Sequence, residues 1–168
     1  AAYSFFFLSP IFTPCLRPPY GEMAVVDLAN QEVLWRRGLG TSRDQGPLGI
    51  PSNLPVPMGM FYNAGSMVTG GGLIFMGGVV DRTMRAINIY NGEEIWTEDL
   101  GASSSTEDIQ GSSSTATPMS YVSPATGKQY VILTLPSAGN GLQLESSVNA
   151  LDQTETSGGA VIAYALPD

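Results

Sequence analysis

The chain has no histidine and a single cysteine, Cys15. The first absence removes histidine-based catalytic triads, imidazole metal ligands and an imidazole acid or base. The lone thiol can form neither an internal disulfide nor a multi-thiolate zinc site. Basic residues are scarce: 7 Lys+Arg stand against 15 Asp+Glu, a formal charge of −8. Nucleic-acid phosphates require clustered Lys and Arg, so nucleic acid is excluded as a partner. Charged residues of all kinds make up 13% of the chain, about half the usual share.

Long apolar runs are missing as well. The most apolar stretch, Ala1-Ala-Tyr-Ser-Phe-Phe-Phe-Leu-Ser-Pro10, stops at proline, well short of the roughly 18 residues of a membrane span. It also lacks the positive region that opens a secretory leader. Either the chain is a processed or partial product, or any membrane anchor lies elsewhere.

What the chain does have is glycine (20) and proline (12) punctuating short β-type runs. Its 168 residues suit one ordinary domain with a core large enough to matter. Strands are expected over 22–28, 33–37, 65–69, 73–77, 84–90, 94–98, 117–122, 129–135 and 160–165. No helical period lasts beyond about two turns, so the expected class is all-β. Asn91-Gly92 predicts a type I′ hairpin turn, which needs positive φ at both central residues. Ser123-Pro-Ala-Thr-Gly127 reads as a second hairpin connection. Residues 38–61, 101–115 and 136–159 read as long loops, the last of them polar.

An internal repeat sets the architecture. Shifting residues 23–42 by 61 aligns Met23/Met84, Asn30/Asn91, Glu32/Glu93, Trp35/Trp96, Leu39/Leu100, Gly40/Gly101 and Ser42/Ser103. The matches include both tryptophans of the chain, and Val26/Ile87, Asp27/Asn88, Leu28/Ile89 and Leu34/Ile95 are conservative. A period of this size, carrying about four short strands, points to propeller blades.

The repeated segments Val25-Val-Asp-Leu-Ala-Asn-Gln-Glu-Val-Leu-Trp35 and Ala86-Ile-Asn-Ile-Tyr-Asn-Gly-Glu-Glu-Ile-Trp96 resemble the tryptophan-docking motif of quinoprotein dehydrogenases, which use pyrroloquinoline quinone (PQQ). Further segments resemble the membrane-bound glucose, quinate and polyol members in order: Phe7-Leu-Ser-Pro10, Pro18-Pro-Tyr-Gly21, Gly40-Thr-Ser-Arg-Asp-Gln-Gly-Pro-Leu-Gly-Ile-Pro51, Thr69-Gly-Gly-Gly-Leu-Ile-Phe-Met-Gly77, Ala116-Thr-Pro-Met119, Gly127-Lys-Gln-Tyr-Val131 and Ile162-Ala-Tyr-Ala-Leu-Pro-Asp168. The resemblance covers nearly the whole chain and corresponds to the C-terminal part of such an enzyme. It implies about two blades of an eight-bladed β-propeller: a lead-in at 1–21, a blade region at 22–103 with both docking motifs, and a closing blade at 104–168 with its long loop at 136–159. Two departures stand out: Met58-Gly-Met-Phe-Tyr62 replaces the family's Met-Gly-Thr-Pro-Asn, and Pro136-Ser-Ala-Gly-Asn-Gly141 lacks the histidine of glucose-type members.

The implied function is oxidation of a sugar or polyol in the periplasm, at the bacterial inner membrane, with electrons passed to quinone and PQQ held with Ca or Mg in the parent enzyme. The implied catalytic carboxylate lies upstream, so this stretch alone is not expected to be catalytic. The alternative is a non-catalytic periplasmic subunit of similar ancestry, kept as a binding or packing module. Both readings imply further blades or a partner subunit on exposed sheet edges.

Trp35 and Trp96 are read as structural docking residues, packed between blades. Asp81 and Arg82 are the candidates for facing an anionic cofactor or a cation, since an arginine suits the three carboxylates of PQQ; a solvated turn with a local ion pair is the plainer reading. Arg43-Asp44 is a weaker candidate of the same kind, and Thr117 is a candidate near the propeller axis that ordinary turn chemistry explains equally well. Cys15 is expected to be a small core residue. Gly70-Gly-Gly72 lacks the Lys-Ser/Thr of a phosphate loop and reads as a tight turn. The pairs Glu93-Glu94 and Glu98-Asp99 lack calcium-loop spacing, and no metal site is expected.

Overall fold

The computed structural model of the chain describes residues 9–11, 13–43, 47–50, 52–60, 64–78, 81–100, 116–135 and 160–165. The expected loops at 101–115 and 136–159, Asp44 and the apolar opening lie outside them. The chain divides into two compact units, Ala1–Tyr62 and Asn63–Asp168.

Nine strands form: β1 (Glu22–Asp27), β2 (Glu32–Gly38), β3 (Ser66–Val68), β4 (Leu73–Gly77), β5 (Thr83–Asn88), β6 (Glu94–Asp99), β7 (Met119–Val122), β8 (Gln129–Leu135) and β9 (Ala160–Ala165). Each matches an expected strand to within two residues at either end. The described residues contain no α-helix, only a single 3-10 turn, Pro47–Gly49. Pairing is antiparallel throughout, in sheets ordered β1-β2, β3-β4-β5-β6 and β7-β8-β9.

The first unit holds the β1-β2 hairpin and a loop that folds back on its base. Leu39 and Met60 are buried there, joined by Met60 N–H donating to the Leu39 carbonyl at 2.6 Å. Gly59 makes this return possible, because at its φ of +62° a side chain would stand 2.4 Å from the Gly21 carbonyl oxygen.

In the second unit, alternation gives each sheet two apolar faces. On the four-stranded sheet Met67, Phe75, Ala86 and Trp96 form one cross-strand row. This face, here termed the front, packs against Val131, Leu133, Leu135, Ile162 and Tyr164 on the back of the three-stranded sheet. Met84, Leu100 and Leu133 are completely buried in that core. The opposite face of the four-stranded sheet carries Ile74, Met76 and Ile87, also buried.

The repeat appears as geometry. Val25 pairs with Trp35 and Val26 with Val33, with a bulge between Val25 and Val26. Ala86 pairs with Trp96 and Ile87 with Glu94, with a bulge between Ala86 and Ile87. An Asx turn opens both loops: Asp27 Oδ1 accepts from Ala29 N–H at 2.8 Å, and Asn88 Oδ1 from Tyr90 N–H at 2.8 Å. These bonds hold the Asp27 carboxyl below its usual range, through the Asn30 side chain first and the Ala29 and Asn30 amides next.

Three expectations need correction. The second hairpin does not turn through type I′: of Asn91 and Gly92 only Gly92 has positive φ, +73°, and its N–H donates to the Asn88 carbonyl at 2.9 Å. Five residues, Ile89–Glu93, join β5 to β6, and the bulge between Ala86 and Ile87 shifts the pairing register. Both tryptophans are half-buried rather than buried, and among the described residues Trp35 belongs to a two-stranded sheet, not a four-stranded one. Cys15 is exposed instead of being a core residue. The turns at Gly72 and Gly127 form as expected, both glycines at positive φ.

Candidate functional site

Among the described residues the two buried charged side chains, Asp81 and Arg85, lie at the turn between β4 and β5 and at the start of β5. β5 begins just past Asp81, and its period of two sends Met84 and Ala86 to the front face and Arg85 to the back. Asp81 is 2% exposed and Arg85 4%. Arg85 Nη1 donates to Asp81 Oδ1 at 3.2 Å and to the Thr83 carbonyl at 3.2 Å, while Nη2 bonds Asp81 Oδ2. Arg85 Nε faces Glu94 Oε2 at 3.6 Å across the β5-β6 ladder. The guanidinium thus lies between two carboxylates, in a bidentate geometry with one of them.

The turn backbone is shaped around this pair. A side chain on Gly78 would stand 2.1 Å from Asp81 Oδ1 and 2.9 Å from the Thr83 carbonyl oxygen, so only glycine allows the carboxylate to fold inward. Gly78 N–H donates to the Thr83 carbonyl at 2.7 Å, and the Thr83 hydroxyl to the Asp81 carbonyl at 2.8 Å. Arg82 sits at the apex with φ +49°, and its carbonyl accepts from Leu100 N–H at 2.8 Å.

Of the residues singled out from the sequence, Asp81 is therefore engaged by Arg85 in a buried pair, not in a solvated turn. Arg82 is half-buried at the turn apex. Thr117 is exposed, its hydroxyl lying where a side chain on Gly65 would be. Arg43 is half-buried in the first unit, its carbonyl accepting from Asn53 N–H at 2.9 Å. Among the described residues no group of three or more His, Cys, Asp or Glu side chains could hold a metal.

Sequence reasoning missed Arg85 and Glu94. The signal was present: Arg85 is the one charge in the strand Thr-Met-Arg-Ala-Ile-Asn. A charge inside an apolar strand must find a partner when its face is buried.

On the front side, Trp96 meets Tyr164 edge to face, with centroids 5.2 Å apart and planes at 71°. The Tyr164 hydroxyl is buried without a hydrogen-bond partner among the described residues. Burial, and secondarily the Glu98 charge, push its pKa up to about 12.

In the second unit the two antiparallel sheets stack front to back, as propeller blades do, and each repeated hairpin of the chain carries a tryptophan. The sequence matches the β-propeller domain of PQQ-dependent glucose/ethanol/alcohol dehydrogenases over residues 1–131, and the chain belongs to that family. It is 39% identical over 162 residues, 96% of its length, to a probable quinate dehydrogenase (quinone) of Xanthomonas campestris pv. juglandis. It is 34% identical over 163 residues, also 96% of its length, to the quinoprotein glucose dehydrogenase of Escherichia coli. A glycerol dehydrogenase large subunit of Gluconobacter thailandicus is 48% identical over 84 residues, 49% of this chain. The matched stretch spans 18%, 17% and 11% of these relatives respectively.

Proposed function

We propose that the chain is the C-terminal propeller segment of a PQQ-dependent dehydrogenase that oxidises a sugar or polyol in the periplasm and passes electrons to membrane quinone. The observation that carries this reading is colinear similarity to quinate and glucose dehydrogenases over 96% of the chain, together with the duplicated docking hairpin. PQQ, when bound, supplies the two-electron acceptor, and the protein supplies placement and charge.

The donor chemistry of the β4-β5 turn separates its two candidates. A quinone bearing three carboxylates gains nothing from Asp81, whose negative charge is already held by Arg85. Arg82 suits such a ligand, since a guanidinium binds a carboxylate through two parallel bonds. Asp81 and Arg85 would then be positioning residues that fix the turn on which Arg82 stands. Thr117 offers only an exposed hydroxyl, a weaker contact. Further blades or a partner subunit cover the exposed sheet edges.

Dye-linked oxidation of glucose, quinate and glycerol, with PQQ and calcium added, tests the reading. The longer polypeptide that carries this chain is expected to turn over one of them, and the 168-residue chain alone none. Arg82→Gln in the longer enzyme should weaken PQQ binding without moving the urea midpoint. Turnover by the isolated chain, or PQQ affinity unchanged by that substitution, would contradict the assignment.

A further inference from the structure

The two repeated hairpins share a left-handed turn position but fill it differently. In the first, Asn30 is followed by Gln31 at φ +57°; in the second, Asn91 is followed by Gly92 at φ +73°. Of the described asparagines, Asn30, Asn53, Asn88 and Asn91, the last alone precedes glycine. The difference matters chemically. An asparagine amide carbon is an electrophile, and the main-chain nitrogen that follows it is a nucleophile placed to close an imide ring. A side chain on the following residue obstructs that closure, and glycine offers none.

In the closed hairpin both reacting groups are engaged. Gly92 N–H donates to the Asn88 carbonyl at 2.9 Å, a bond that keeps the proton on the nitrogen and aims it back at β5. Asn91 Oδ1 accepts from Glu93 N–H at 3.0 Å, and Nδ2 donates to Glu93 Oε2 at 3.3 Å, so the amide is held from both ends by Glu93. Asn88 N–H donates to the Glu93 carbonyl at 2.8 Å and ties the ends of the loop together. Asn91 itself is exposed, so water reaches it.

We propose that Asn91 is a self-modifying site gated by its hairpin: paired strands keep it an amide, and when β5 and β6 part it cyclises onto Gly92 and becomes an acid. The Gly92 nitrogen gives up its proton to solvent and bonds Asn91 Cγ, the Cγ–Nδ2 bond breaks, and ammonia leaves with a proton. One water then opens the imide to aspartate or isoaspartate. One water is consumed and one ammonia released, with no change of oxidation state. The product alters the loop that made it. A carboxylate at position 91 meets Glu93 with repulsion where the amide donated to it. Isoaspartate also carries the main chain through an extra carbon, which the bonds across this short loop do not accommodate. The hairpin that holds Arg85 and Glu94 thus records each lasting opening as a permanent change. Neither PQQ nor dehydrogenase activity enters this chemistry.

Peptide mapping of the 168-residue chain by mass spectrometry, with amide exchange of β5 and β6 followed in parallel, tests the proposal. Mapping separates Asn91 from Asn140-Gly141, the same dipeptide outside the described residues. Ordinary hydrogen bonds must break before the ring closes, so conversion in the closed hairpin should run about tenfold or more below that of a synthetic peptide copying residues 87–95. Raising urea should speed conversion in step with β5-β6 exchange until the chain matches the peptide. In the peptide, Gly92→Ala should slow conversion strongly, and this variant leaves the folding of the chain untouched. After urea is removed, converted chains should exchange β5-β6 amides faster than unconverted ones. A conversion rate that ignores β5-β6 exchange overturns the proposal, as does a peptide that stays an amide or converts equally well with alanine. Identical exchange in converted and unconverted chains overturns the recording role.

Discussion

The β1-β2 and β5-β6 hairpins place their bulge, tryptophan and Asx turn at positions 61 apart, yet the molecule treats them differently. The second sits in a four-stranded sheet, with Ala86 and Met84 buried and Trp96 against Tyr164. The first stands as a two-stranded sheet among the described residues, with Val26, Val33 and Leu34 exposed. Hairpin geometry is thus written locally, in an Asx residue and a left-handed turn position four residues on, whereas burial is conferred by neighbouring strands. The hairpins also differ in charge placement: Arg85 is buried between two carboxylates, while Arg36 faces Glu22 at 3.9 Å with both side chains largely in water.

That last difference gives the largest expected effect. Asp81→Ala leaves the Arg85 charge buried with Glu94 as its remaining carboxylate neighbour, and should cost about 3–5 kcal/mol. Glu22→Gln in the first hairpin should change stability by less than about 1 kcal/mol. Urea denaturation of each variant makes the comparison; equal midpoints would mean that the buried pair contributes nothing.

The tryptophans come next. Trp96→Ala removes an aromatic that packs on the core, and should cost about 2–4 kcal/mol, less than full burial would give because the ring is half-exposed. Trp35→Ala should cost visibly less in the same assay. A larger loss at Trp35 would show that its surroundings supply as much packing as the second unit gives Trp96.

Tyr164 distinguishes the second unit by pH. Its pKa is about 12 in the folded protein against 10.0 ordinarily, so the unfolded chain loses this proton first as pH rises. The contribution is complete below pH 10 and is lost by about pH 12. With the residue half-exposed, the loss is on the order of 1 kcal/mol after screening. Tyr164→Phe should flatten stability over that range and cost little at neutral pH, because the hydroxyl has no hydrogen-bond partner among the described residues. Asp27 acts oppositely in the first hairpin: its lowered pKa gives stability above the ordinary carboxylate value that fades as pH falls through the folded one.

The smallest effect lies in the turn itself. Gln31, at φ +57°, occupies the place of Gly92, at φ +73°. Gln31→Gly relieves about 1–2 kcal/mol of left-handed strain and gives back about 0.5–1 in unfolded-state entropy. A net gain of some tenths of a kcal/mol is expected, whereas Gly92→Ala should destabilise. A loss at Gln31 would indicate that its side chain makes compensating contacts.

These contrasts also mark what could be read from the residues alone. Nine strands were legible because Gly, Pro and Asn punctuate them, and the repeat was legible because tryptophan is rare. The hairpin at Asn91-Gly92 was visible but its turn type was not, since the bulge between Ala86 and Ile87 depends on the pairing register. Asp81 stood out as a charge in a turn. Its partner was hidden because Arg85 lies four residues on, past a tight turn, and only the inward fold permitted by Gly78 joins them. Cys15 was misjudged because thiols are usually buried and no local pattern marked this one as exposed.

The stacking of the second unit has a consequence of its own. A front that meets a back gives each of the two sheets of this unit a leading and a trailing side. Contacts of this kind do not cancel in pairs, as those of a two-fold dimer do. They propagate, closing into a ring when the rotation per step divides the circle and running on as a fibre when it does not. A ring cut open at any point therefore carries a donor end and an acceptor end on the same molecule. The characteristic product of such a cut is a head-to-tail polymer rather than a dimer.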